Sequence, residues 1–265
     1  GALLRDPNPL VRRAAAAAHR LAPVDLRAGL ISVLDDPVRD VRLEATPLVA
    51  EMPASALQPA QAAARDRAMA EYVASQEVNA DRPESHVNLG LLYAATGRHA
   101  EARAEFEQAI SIDPRFVPAT VNLADLLRVM GAEAQAEAIL RSGIEAGPGD
   151  AALHHALGLL LVRTGRPDAA LAELKEAAER QPAEARYGYV YAVALESAGR
   201  RKEAIQVLRQ VLVRHPNDRD TLWALASWLI AIGDRTQAAG IARRLASLEP
   251  DELDVQALVE RTNPN

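Results

Sequence analysis

No cysteine occurs among the 265 residues. Disulfides, thiolate zinc sites and thioether-linked c-type haem are therefore excluded within this chain. Aromatic residues are scarce, at 3%, yet hydrophobic residues make up 49%. The apolar mass is alanine, leucine and valine, which suits helices packed closely on helices. An excess of positive charge is also missing: 30 Lys and Arg stand against 36 Asp and Glu, a net charge of −6. Nucleic-acid binding is not expected, because phosphates need a basic footprint. No apolar run approaches the roughly 18 residues of a membrane span, and no membrane insertion is expected. Lys175 and Lys202 are the only lysines; the other basic residues are arginine. With so much alanine, this usage points to a GC-rich bacterial genome. No signal peptide opens the chain. Gly1 followed by Ala2-Leu3-Leu4 reads as a cut inside a longer protein, so a missing targeting signal says nothing of compartment.

Catalytic signatures are missing too. There is no phosphate-binding glycine loop, no His-Glu-x-x-His and no Gly-x-Ser-x-Gly. No catalytic residue, cofactor or enzymatic activity is expected. His154 and His155 are adjacent, so on a helix they point about 100° apart. No third ligand stands at a helical spacing that converges on both, and no metal site is expected. His19, His86, His99 and His215 are scattered singly. The glutamates Glu101, Glu105, Glu107, Glu173, Glu176 and Glu179 read as a solvated outer helix face.

What is present is a repeat. Glycine recurs at 97, 131, 165, 199 and 233, alanine at 102, 136, 170, 204 and 238, and proline at 114, 148, 182, 216 and 250. Three columns at one 34-residue period define five helix-turn-helix units within 83–250: 83–116, 117–150, 151–184, 185–218 and 219–252. In the first, helix A runs from about Pro83 to Thr96, and Gly97 stops it in a left-handed cap. Helix B runs from about His99 to Ile112 before Pro114. Small residues at Gly90, Ala124, Gly158, Ala192 and Ala226 on helix A face the alanine column of helix B. The two backbones are expected to approach closely there.

The pattern Leu89-Gly90, Tyr93, Ala102, Phe106, Ala109, Pro114 resembles the tetratricopeptide repeat. Later copies depart modestly, with leucine replacing Tyr93 at 127, 161, 195 and 229. The resemblance implies an all-α fold, a right-handed α-α superhelix, or solenoid, with a concave groove lined by A helices. Residues 1–53 carry a second pattern at a 30-residue offset: Asp6-Pro7, Val11-Arg12 and Ala15 recur as Asp36-Pro37, Val41-Arg42 and Ala45. This resembles the HEAT repeat, and implies that the repeated arginine bonds the repeated aspartate. Thr46-Pro47 is expected to kink or break the second of these helices. Residues 54–82 read as a junction helix, the B half of an incomplete repeat, which joins the two stacks without a flexible linker. Residues 253–265 read as a capping helix, Leu253, Ala257 and Leu258 covering the last B helix, with a frayed tail at Asn263-Pro264-Asn265.

If the superhelix forms, the fifth A-helix position faces the groove and reads Val87, Val121, His155, Tyr189, Trp223. The sixth reads Asn88, Asn122, Ala156, Val190, Ala224. Asp125, Arg128, Arg163, Arg186 and Glu196 stand nearby. Asn88 and Asn122 could bond the backbone of an extended peptide. His155, Tyr189 and Trp223 could grip apolar or proline-rich side chains, with Arg128 and Arg163 available for carboxylates. The alternative is that the asparagines are merely common there and the rings stack neighbouring copies. The two-lysine carboxylate clamp of some relatives is not expected, since Val87 stands at its first position. The leading function is a protein-interaction module that binds a protein or peptide segment. A second is the accessory docking arm of a larger bacterial enzyme or multihaem electron carrier; the compartment is left open, cytoplasmic or, if part of a multihaem cytochrome, periplasmic. A third is an oligomerisation module.

Overall fold

The computed structural model describes residues 2–147 and 149–262. Gly1, Pro148 of the proline column and the Asn263-Pro264-Asn265 tail lie outside the described residues. The fold is all-α, with no strand among the described residues. Two compact units, Gly1–Ala136 and Glu137–Asn265, each stack helices of the solenoid type.

The first unit opens with a short 3-10 turn at Ala2–Arg5 and helix α1 at Pro9–Ala17. Asn8 caps α1 by accepting the Leu10 N–H at 3.0 Å. Further 3-10 segments span Ala18–Leu21 and Val24–Val33. Helix α2 is Arg39–Ala50 and α3 is Pro59–Glu77. Of the kink or break expected at Thr46-Pro47, the break does not occur: α2 continues through the proline. The proline removes one amide donor, while buried Val41, Ala45, Leu48 and Val49 hold the helix on both sides. The Thr46 hydroxyl donates to the Arg42 carbonyl at 2.8 Å. Helix α3 packs against α2 on one side and α4, Pro83–Ala95, on the other.

Helices α4 and α5 (His99–Ile112) form a hairpin, and α6 (Val117–Val129) packs on both. Helix α7, Glu133–Ala146, begins in the first unit and ends in the second. The second unit continues with α8 (Ala151–Arg163), α9 (Pro167–Arg180), α10 (Ala185–Ser197), α11 (Arg201–Arg214), α12 (Arg219–Ala231), α13 (Arg235–Leu248) and α14 (Leu253–Thr262). Consecutive helices from α8 to α14 pack on one another.

The repeated glycines do what their column implies. Gly97, Gly131, Gly165, Gly199 and Gly233 have φ between +72° and +83°. In each turn the next amide bonds back to the helix, as Arg98 N–H does to the Tyr93 carbonyl at 2.8 Å. The alanine column is at most 1% exposed in all five copies. Gly90 lies so close to Phe106 that an added Cβ would sit 2.4 Å from its ring, and Gly158 likewise meets Leu174 at 2.6 Å. At these two hairpins a B-helix side chain thus packs directly on the A-helix backbone. The terminal helix is turned differently from expectation. Val255, Leu258 and Thr262 are buried, at helical spacing, whereas Leu253 is 78% exposed and Ala257 faces water.

Candidate partner-binding surface

In the first unit, Asn88 and Asn122 stand half-buried on α4 and α6, which pack on each other. Asn88 Nδ2 donates to Gln76 Oε1 of α3 at 3.0 Å. Asn122 Nδ2 donates to the Pro118 carbonyl of its own helix at 2.7 Å. Both amides are thereby oriented, and neither Oδ1 has a hydrogen-bond partner among the described residues. Asp125 is exposed and loosely paired with Arg128, 3.4 Å away one helical turn on.

In the second unit the ring column divides. Tyr189 on α10 and Trp223 on α12 are half-buried and lie against the same apolar cluster. The Arg219 guanidinium sits 5.8 Å from the Trp223 ring. Arg163 is exposed at the end of α8. His155 departs from the expected open face. It is only 8% exposed, its ring 4.7 Å from Tyr187 and tilted by 41°. Neither ring nitrogen has a hydrogen-bond partner. Burial pushes its pKa down to about 4, with the Arg186 cation adding in the same direction.

Two glutamates expected on a solvated face are elsewhere. Glu105 Oε2 accepts from His86 Nδ1 at 2.6 Å. Glu173 Oε2 accepts from His154 Nδ1 at 2.7 Å. The two pairs occupy the same repeat positions, two copies apart. Each ties the first turn of an A helix to the middle of its B helix, so these B-helix positions turn inward. The signal was present in the sequence. Where position 4 of a copy holds histidine, position 23 holds glutamate; elsewhere the columns read Thr120/Ile139, Gly188/Val207 and Leu222/Ile241.

Residues 1–53 contain an arginine ladder. Arg12 grips the Asp36 carboxylate through Nε at 2.6 Å and Nη2 at 2.9 Å, while Nη1 donates to the Asp6 carbonyl at 2.7 Å. Thirty residues on, Arg42 Nη1 donates to the Asp36 carbonyl at 2.5 Å. Its other nitrogens reach Glu71 on α3 at 2.7 and 2.6 Å. No group of three or more His, Cys, Asp or Glu among the described residues could hold a metal ion. No described helix is long and apolar enough to cross a membrane.

Two tetratricopeptide repeat profiles match the sequence. One covers residues 93–160 and 195–261, the other 54–115 and 155–219. The chain belongs to the tetratricopeptide repeat family. Such repeats point to protein–protein interaction. No curated protein sequence matches the chain. Among solved structures, tetratricopeptide-type neighbours are found at low identity. PilW, a type IV pilus biogenesis factor, is 18% identical with a TM-score of 0.58, covering 73% of this chain and 90% of its own. PilF of Pseudomonas aeruginosa is 19% identical with a TM-score of 0.56, covering 68% and 82%. YrrB, described as a TPR protein with an unusual peptide-binding site, is 19% identical with a TM-score of 0.51, covering 70% and 96%. At these identities the likeness is one of fold.

Proposed function

We propose that this chain is an interaction module whose A-helix faces bind an extended segment of a partner protein. The observation that carries the proposal is the pair Asn88 and Asn122. Both stand on adjacent A helices, held by their Nδ2 bonds, with free amide oxygens. An extended chain offers amide donors that such acceptors can take. In the second unit the corresponding surface is Tyr189 and Trp223, with Arg163 exposed nearby in sequence on α8. Half-buried rings give a partner contact area at little entropic cost. His155, buried against the Tyr187 ring, is left out of the proposed contact surface. The existence of a peptide site in YrrB, of the same fold, favours the reading.

Residues 1–53 extend the stack as HEAT-like turns in this proposal, supported by the arginine ladder at its 30-residue offset. On α3 Arg42 meets Glu71, while Asp66, thirty residues after Asp36, pairs with Arg65.

The test is affinity purification from the source cell, with quantitative mass spectrometry. Asn88→Ala with Asn122→Ala, and Tyr189→Ala with Trp223→Ala, are each compared with the wild type. At least one partner should fall tenfold or more while circular dichroism stays unchanged. Partner recovery equal to wild type in both double variants would end the proposal.

A further inference from the structure

The B-helix side of the last two repeats carries features that the A-helix reading does not use. A cleft of about 320 Å³ opens among α11, α12 and α13. Its floor is apolar, made by Leu212, Leu225, Leu229 and Ile241. Arg209 and Arg244 flank it, and no carboxylate lines it. Val213, 81% exposed, extends the apolar surface at its edge.

The charge here is unusual for this chain. Helices α11 and α13 carry Arg201, Lys202, Arg209, Arg214, Arg235, Arg243 and Arg244 against Glu203 alone, in a protein of net charge −6. Some arginines of the unit are matched to carboxylates, as in Arg166–Glu137 and Arg180–Glu176. The two cleft arginines are not. Arg209 reaches only Gln237 Oε1, at 2.7 Å. Arg244 makes no side-chain hydrogen bond or ion pair among the described residues. Guanidinium groups left open beside an apolar floor suit carboxylates that flank an apolar side chain.

Gly240 adds an independent observation. It lies inside α13 and lines the cleft. Its φ is not positive, and an added Cβ would meet nothing within 4 Å. The equivalent residues of earlier copies are Ala104, Ala138, Ala172 and Gln206. Neither a turn nor packing requires glycine here, and it weakens a helix relative to alanine. A helix surface without Cβ lets another backbone approach closely.

We infer that this cleft binds an acidic segment of a partner protein, one apolar side chain on the leucine floor and carboxylates on Arg209 and Arg244. The acidic helix α9 of a second copy is a poorer match. On acidic α9, Glu173 is held by His154, Glu176 by Arg180 and Glu179 by Lys175. The inference does not depend on the A-helix proposal.

The experiment pans a phage-displayed library of random dodecapeptides on the purified protein. Recovered peptides are then measured by fluorescence anisotropy. Asp and Glu should bracket Leu, Ile or Phe in the recovered sequences, and affinity should fall as salt rises. Arg209→Glu and Arg244→Glu should each weaken binding at least tenfold, with Arg209→Gln and Arg244→Gln as substitutes should a reversal fail to fold. Gly240→Leu should block binding without lowering the melting temperature, and Tyr189→Ala with Trp223→Ala should leave it unchanged. An empty selection, peptides without acidic enrichment, or affinities indifferent to both arginine changes would overturn the inference. So would self-association in light scattering that these arginine variants abolish, since the occupant would then be a second copy.

Discussion

His155 is buried with two unpartnered nitrogens, so the folded protein holds it neutral. The unfolded chain takes up a proton near the ordinary value of 6.5, the folded chain only near 4. Between these values the unfolded state binds more protons, so stability falls as pH drops through that window. The loss attributable to this residue is roughly 3 kcal/mol, complete by about pH 4. His155→Phe should remove this part of the pH dependence in urea titrations, and stabilise the fold at pH 7 by about 1 kcal/mol through loss of an unsatisfied group. An unchanged pH slope would contradict the burial. The His154–Glu173 pair makes a second case. Glu173→Ile alone should cost about 1–3 kcal/mol, since it strips His154 of its only hydrogen bond. Adding His154→Leu should recover most of that, because Leu222 and Ile241 fill the same repeat positions in the last copy. Denaturant midpoints of the four proteins in the cycle decide it. At this scale the sequence was only partly legible. Glu173 looked solvated because single residues were weighed, and the cue lay in two columns read together.

At the scale of helices, nearly everything that repeats was legible. Glycine at a fixed offset announces a left-handed cap, because other residues resist positive φ. Alanine and glycine at facing positions announce close approach. Gly90 and Phe106 test this directly. Gly90→Ala places a methyl against the ring and should cost about 1–3 kcal/mol. Phe106→Leu in the same protein should relieve the strain, since Ala192 and Leu208 occupy these positions in the fourth copy. Thermal melting of both variants is the check. What did not repeat was harder to read. Pro47 was expected to kink or break α2, which runs on through it with buried residues on both flanks. In α14 only Leu258 of the expected Leu253, Ala257 and Leu258 is buried, with Val255 and Thr262 beside it, and a few residues alone do not fix a helix's rotation. The arginine ladder belongs to this scale too. Arg12, through its hydrogen bonds, holds the Asp36 carboxyl below its ordinary range, assisted by the Val38 amide. Asp36→Asn should therefore destabilise the fold at neutral pH by removing the counter-charge of Arg12. That difference should shrink as pH falls below the ordinary value of 3.8, where the unfolded chain takes up the proton that folded Asp36 resists.

At the scale of the molecule, composition and period together gave the all-helical architecture, because each 34-residue unit must bury its apolar face on a neighbour. The binding surface was less accessible. Helical phase places Asn88, Asn122, Tyr189 and Trp223 on A helices, but burial depends on neighbouring copies, and that is how His155 came to lie inside. Local columns give position within a repeat; packing decides exposure. The central claim is that a partner lies on the A-helix faces. Hydrogen–deuterium exchange of the chain with and without its affinity-purified partner tests this most directly. Added protection should concentrate in α4, α6, α10 and α12, around Asn88, Asn122, Tyr189 and Trp223. Protection confined to the B helices, or none above the free protein, would contradict it.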